Sequence, residues 1–107
     1  MKINKIKNMH RGWFIGDFEP SVLKTKEFEV GLLVHKKGES WPKHYHTIAT
    51  EYNVLLSGRM TINGQEITPG IIFVLERNEI AEPTFHEDCE ILCVKVPSVI
   101  GDKYEVV

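Results

Sequence analysis

This chain of 107 residues is short of several things, and each shortage excludes something. No apolar run approaches the roughly 20 residues of a membrane-spanning helix, so no membrane partner is expected. The opening MKINKIKNMHRG starts charged but has no apolar stretch behind it, which argues against a secretory signal and makes the cytoplasm the expected location. There are only two cysteines, Cys89 and Cys93, both in the strand-like run DCEILCVKV. Four residues of strand separate them by roughly 13 Å, while a disulfide needs Cα atoms within about 7 Å. They therefore read as small buried residues of a reduced intracellular protein, on the same face as Ile91. No internal repeat, linker or low-complexity stretch divides the sequence, and no segment sustains a helical period. The expectation is one domain over residues 1–107, with a core at about 22–96 and terminal extensions packed on it.

Charge of one sign is also lacking: the formal net charge is −2, which gives no footprint for nucleic acid. The sum hides a gradient, since residues 1–50 carry nine Lys or Arg against five acids and residues 51–107 carry four against ten. Much of the acidity falls at Glu76, Glu79, Glu82, Glu87, Asp88 and Glu90. Two readings stand: a solvated loop with charged gatekeepers, or a negative mouth that favours a cation and discourages phosphorylated substrates.

What is present is β-like and short. Val22 to Thr25, Phe28 to His35, Trp41 to Thr47 and Tyr52 to Leu56 read as strands, the last with Glu51, Asn53 and Leu55 on one face. Arg59 to Ile62 runs into Asn63-Gly64, a hairpin pair, and Gln65 to Ile67 returns from it. Pro69-Gly70 is a second turn, Ile71 to Leu75 an apolar strand expected to be buried on both faces, and Glu90 to Val96 the last core strand. Closely spaced strands without helices argue an all-β sandwich or barrel.

His44 and His46 sit at i and i+2, so on a strand they present two imidazoles to one face, and a short turn can bring Glu51 beside them. Such a set is half of a divalent-metal site; alone, a His-x-His is also found as two solvated histidines. The surrounding run GESWPKHYHTIATEYNVLLSG fits the first cupin motif, G(X)5HXH(X)4E(X)6G, from Gly38 to Gly58 at every fixed position. The chain thus resembles the cupin superfamily. The stretches RGWFIGDFEPSVLKTKEFEVG and KVPSVIGDKY are similar to those of small single-domain cupins from bacteria and phages whose activity is generally unassigned. The resemblance implies a jelly-roll barrel, or double-stranded β-helix, with a divalent metal (Fe, Mn, Ni or Zn) inside on His44, His46 and Glu51. It implies little about reaction, because cupins host oxygenases, isomerases, epimerases and binding modules alike.

The second cupin motif, G(X)5PXG(X)2H(X)3N, is only partly kept. Gly64 and the Pro69-Gly70 turn are present, but the next expected proline and glycine fall at Glu76 and Asn78, and the third ligand histidine falls on Ala81. Glu82 becomes a candidate fourth ligand after a one-residue adjustment, and His86 a more distant one, beside the plainer reading of both as surface residues; either is also a candidate acid or base. Lys43 and Arg59 read as exposed charge or as contacts to an anion at a barrel mouth. Trp13, Phe14, Phe18 and Trp41 read as packing over a barrel end or a dimer contact, with stacking on a substrate as the alternative, Tyr45 as core, and His10 and His35 as structural. Two functions from different classes remain open. One is a metal-dependent oxygenase or isomerase acting on a small polar molecule; the other is a non-catalytic module that holds a sugar or organic acid, with a structural or vacant metal site. A homodimer is expected from the spare strand edges of one small barrel.

Overall fold

A computed structural model describes residues 1–106. Ten strands follow one another: β1 (Trp13–Ile15), β2 (Glu29–His35), β3 (His44–Tyr45), β4 (Thr50–Ser57), β5 (Met60–Ile62), β6 (Gln65–Ile67), β7 (Ile72–Leu75), β8 (Pro83–Phe85), β9 (Cys89–Val96) and β10 (Tyr104–Glu105). The only helical piece among the described residues is a short 3-10 turn at Ile6–Asn8, and none is long and apolar enough to cross a membrane. Five strands form one sheet in the order β1-β2-β9-β4-β7; β6-β5-β8 and β10-β3 make two smaller ones. All the pairings are antiparallel. Chain neighbours are mostly not sheet neighbours, the crossing pattern of a jelly roll.

Alternation of side chains sets the interior. β4 buries Glu51, Asn53 and Leu55, and β9 buries Cys89, Ile91 and Cys93. Register places Leu33 and Leu55 on either side of Ile91, Gly31 and Asn53 on either side of Cys93, and Glu29 and Glu51 on either side of Lys95. The barrel therefore changes character along its length. Leu55, Met60, Ile62, Phe85 and Ile91 close one end as an apolar plug, whereas Glu29, Lys95 and Glu51 stand at the other. Both cysteines are free and buried, as their spacing requires.

Gly58 carries φ +89°, and a Cβ there would come within 2.2 Å of the Asp88 carbonyl oxygen, so only glycine lets the chain turn out of β4. Gly31 serves a different need: a Cβ on it would sit 2.6 Å from the Trp13 indole, which packs flat on the strand at that point.

Three sequence expectations change. Val22 to Thr25 is not a strand; it meets β1 through an isolated Ile15–Leu23 bridge and a hydrogen bond from the Val22 N–H to the Phe14 carbonyl at 2.8 Å. β1, β8 and β10, each two or three residues long, are additional. β7 is not buried on both faces, because the outer face of its sheet is open: Ile72 is 70% exposed and Val74 39%, like Tyr52 opposite Val74 on β4 at 47%.

One side chain from beyond the last long strand fastens the fold. Asp102, 5% exposed, accepts hydrogen bonds from the backbone N–H groups of Thr47, Ile48 and Ala49 at 2.9–3.3 Å and from the Thr47 hydroxyl at 3.0 Å. Three consecutive N–H groups converging on one carboxylate form an anion nest. Burial alone would raise the Asp102 pKa, but the hydrogen bonds from Ala49, Thr47 and Ile48 outweigh it and hold the carboxyl below its ordinary value. Hydrogen bonds to a charged group contribute about 1.5–3 kcal/mol each and do not add fully, so Asp102→Ala is expected to cost about 2–4 kcal/mol in denaturant unfolding. Because the folded-state pKa is depressed, this stabilisation is complete above about pH 4, the unfolded aspartate value, and fades as pH falls through the folded one. The stability gap between wild type and Asp102→Asn should narrow on acidification; a gap constant with pH would show that the charge is not what holds the turn.

Candidate metal centre

The two halves of the ligand set come from different sheets. His44 opens β3 and His46 follows it, with Tyr45 turned outward to stack on Tyr104 at 5.5 Å. The Asp102-clasped turn then delivers Glu51 on β4. The ligating atoms of His44, His46 and Glu51 lie within 4.8 Å of one another, and all three residues are buried.

Hydrogen bonds orient each donor. His44 Nδ1 lies 3.2 Å from the Pro42 carbonyl, which makes it the protonated nitrogen and leaves the Nε2 lone pair free. Glu51 Oε1 accepts a hydrogen bond from the Cys93 thiol at 3.2 Å, while Oε2 faces His46 Nδ1 at 3.2 Å. Burial and the adjacent Glu51 raise the Cys93 pKa, so the thiol stays a neutral donor. Burial lowers the pKa of both histidines, with Lys95 adding to the effect at His46. Neutral imidazoles are what a metal needs. Against it stands Lys95, whose Nζ lies 3.5 Å from His46 Nε2. That ammonium ends a long flexible side chain and also approaches the Trp13 ring at 5.0 Å. Two neutral imidazoles and one carboxylate thus fit a first-row divalent ion, with Lys95 as its local competitor.

The second-motif region keeps its path while losing its ligand. Asn78, where the motif has glycine, adopts φ +68°, a conformation asparagine tolerates better than most residues. Its N–H donates to the His46 carbonyl at 2.6 Å, and Ala81 pairs with His44 through bonds of 2.7 and 3.2 Å. Ala81 is buried and lines the cavity, so a methyl group faces the site where the motif has a histidine. Alternation then turns Glu82 outward, where its carboxylate meets Lys43 at 3.6 Å with both side chains more than half exposed. The structure thus brings His44, His46 and Glu51 together and leaves Glu82 outside the cluster. His86 is also outside, bonded to Thr61 Oγ1 at 2.6 Å.

The cavity around the three residues measures about 660 Å³. Leu33, Ile91, Ile62 and Phe73 form apolar wall, and Trp13 and Trp41 flank it. The tryptophans read as packing from sequence are therefore cavity walls. His35, read as structural, stacks on Phe85 at 4.4 Å and pairs with Glu39, which also accepts the Trp41 indole N–H at 2.5 Å. His10 stacks on Phe18. Arg59 faces Glu66 and Glu87, so neither it nor Lys43 reaches the mouth.

The negative mouth is not formed. None of the acidic residues between Glu76 and Glu90 lines this cavity; the cations there are Arg11, Lys95 and Lys103. Lys103 Nζ rests 3.8 Å from the centre of the Trp41 ring, and burial followed by the neighbouring Lys95 lowers its pKa. Sequence reasoning missed Cys93, Asp102 and Lys103 as parts of the site; the alternation that put Cys93 on an inward face was the only available signal.

The architecture and the site together define a cupin-type double-stranded β-helix. No family profile and no curated protein sequence matches the chain. Among solved structures, an uncharacterized conserved protein with a double-stranded β-helix domain from Klebsiella pneumoniae aligns at 16% identity and TM-score 0.72, over 98% of this chain and 91% of that one. The DMSP lyase DddQ from Ruegeria pomeroyi aligns at 15% identity and TM-score 0.71 over 86% of this chain, which spans only 48% of the lyase. The bacterial pirin YhhW from Escherichia coli, solved with nickel(II), aligns at 17% identity and TM-score 0.66, covering 85% of this chain and 41% of the pirin. At these identities the likeness is one of fold.

Placing histidine at position 81 should add the missing donor. Ala81→His is expected to tighten Mn(II) or Ni(II) binding about tenfold or more; equal affinities in wild type and variant would mean that residue 81 is not directed at the ion.

Proposed function

We propose that this chain is a small cytoplasmic metal-binding cupin, one domain over residues 1–107, that holds one first-row divalent ion on His44, His46 and Glu51 and acts on a small polar organic molecule in the adjoining cavity. The carrying observation is the convergence of three buried donors, two with their orientation fixed by Pro42 and Cys93, on the wall of a 660 Å³ cavity. A bound ion would supply Lewis-acid polarisation of a substrate oxygen, or oxygen activation if it is iron. The chain's own part is separate. Trp13 and Trp41 restrict the cavity, the apolar wall excludes water from one side of a ligand, and Cys93 holds Glu51 in place.

A second reading, a binding module without catalysis, draws on Ala81: with a methyl group in the third histidine's place and Lys95 beside His46, the ion is held by fewer ligands and against a nearby positive charge. Reconstitution decides the metal question. Wild type is expected to take up one equivalent of Ni(II) or Mn(II), and the His44→Ala, His46→Ala double variant none while keeping its β-rich circular dichroism spectrum. Unchanged metal content in the folded variant would remove both histidines from the site.

A homodimer is part of the same proposal. Tyr52 and Val74 are opposed on the outer face of β4 and β7, next to Ile72, and all three are exposed apolar side chains. Contiguous apolar surface of this kind marks an interface. Sedimentation should give twice the chain mass for wild type and a monomer for Ile72→Glu; a monomeric wild type would rule the dimer out.

A further inference from the structure

We propose that the cavity contains a built anion subsite, formed by Lys95, Lys103 and Arg11 with the Asn53 amide, and that its ligand is a small organic carboxylate. The proposal takes from the preceding reading only that this cavity is the working site.

Charge accounting on the cavity wall is the first support. Two acids line the cavity with the three cations, and both are already engaged: Glu39 by His35 and Trp41, Glu51 by Cys93 and His46. A third, Glu29, flanks Lys95 in the sheet without lining the cavity and accepts the Ser98 hydroxyl at 3.3 Å. Among the described residues none of Arg11, Lys95 and Lys103 forms an ion pair with a carboxylate. Gathering like charges in a partly desolvated space is unfavourable unless an opposite charge joins them. Indole faces supply part of the compensation, with Trp41 under Lys103 and Trp13 under Lys95. Arg11 reaches the cavity from a left-handed backbone conformation, φ +50°, that is strained for a non-glycine residue.

Asn53 is an independent observation. It is 5% exposed, it lines the cavity one inward position along β4 from Glu51, and its side-chain Nδ2 is buried with no hydrogen-bond partner. A buried amide donor left unpaired is destabilising and is expected to meet an acceptor when the site is filled. Two ammonium groups, a guanidinium and an amide N–H offer only donors, and a carboxylate offers only acceptors. The apolar wall of Leu33, Ile91 and Phe73 provides for a carbon skeleton, and the volume far exceeds what an inorganic oxyanion fills.

Calorimetric titration tests this with lactate, malonate and succinate, the corresponding amides as neutral isosteres, and inorganic phosphate. Each is added to chelator-treated protein and to Ni(II)-loaded protein. At least one acid is expected to bind about tenfold or more tightly than its amide. Lys103→Gln should lose most of that preference with Ni(II) content unchanged, and Lys103→Arg should restore it. Acids and amides binding alike, a preference indifferent to Lys103→Gln, or phosphate binding more tightly than every acid would each overturn the carboxylate subsite. Failure of Ni(II) to bind, with the acid preference and its Lys103 dependence intact in chelator-treated protein, would refute the metal reading and support this one.

Discussion

The carboxylate of Asp102 in the 47–49 turn is the constraint on which the site depends. His44 and His46 belong to a two-stranded sheet and Glu51 to the five-stranded one, so the ligand set has no common element to keep it in register. The turn between them is the direct covalent link, alongside the bonds from Asn78 and Ala81 to the histidine strand, and its three N–H groups have no strand to pair with. A buried anion answers all three at once, whereas a neutral residue would leave donors unpaired. Residue 103 follows immediately and lays its ammonium over Trp41. The segment that orders the candidate ligand set therefore also contributes a cation to the cavity wall.

That wall gives the barrel a polarity opposite to the one its surface advertises. The acidic residues from Glu82 to Asp88 are spent outside, as Glu87 with Arg59, Asp88 with Lys36 and Glu82 with Lys43. Inside, Lys95 stands between Glu29 and Glu51 in the sheet and beside His46, where it opposes a bare divalent ion. A ligand that carries negative charge relieves both the crowding of the ammonium groups and their opposition to a metal. Were a metal and an anionic ligand both bound, their occupation would be coupled through charge, each making the other less unfavourable.

How much of this could be read from sequence follows from the range of each interaction. His44, His46 and Glu51 lie within eight residues, and strand alternation with one short turn is enough to bring them together. Ala81 was placed by motif spacing, and the φ +68° at Asn78 explains why that spacing survives the loss of a glycine. Asp102 and Cys93 act across 53–55 and 42 residues respectively, and nothing in their local sequence names their partners. β7 was misjudged because a strand with one open face and a strand buried on both can carry the same apolar run. Of the two readings of the acidic span, the exposed ion pairs support the solvated loop and not the negative mouth, since composition counts residues and not the directions in which they point.

Trp13 and Trp41 are the chain's two tryptophans, and both face the same cavity. The intrinsic indole fluorescence of this protein thus comes from that one place, with a lysine ammonium held against each ring. Neutralising or displacing those ammonium groups alters the field at the indoles, and a paramagnetic ion on the adjacent imidazoles quenches their excited state. The molecule carries, without any label, an optical probe whose signal originates only where its chemistry is concentrated.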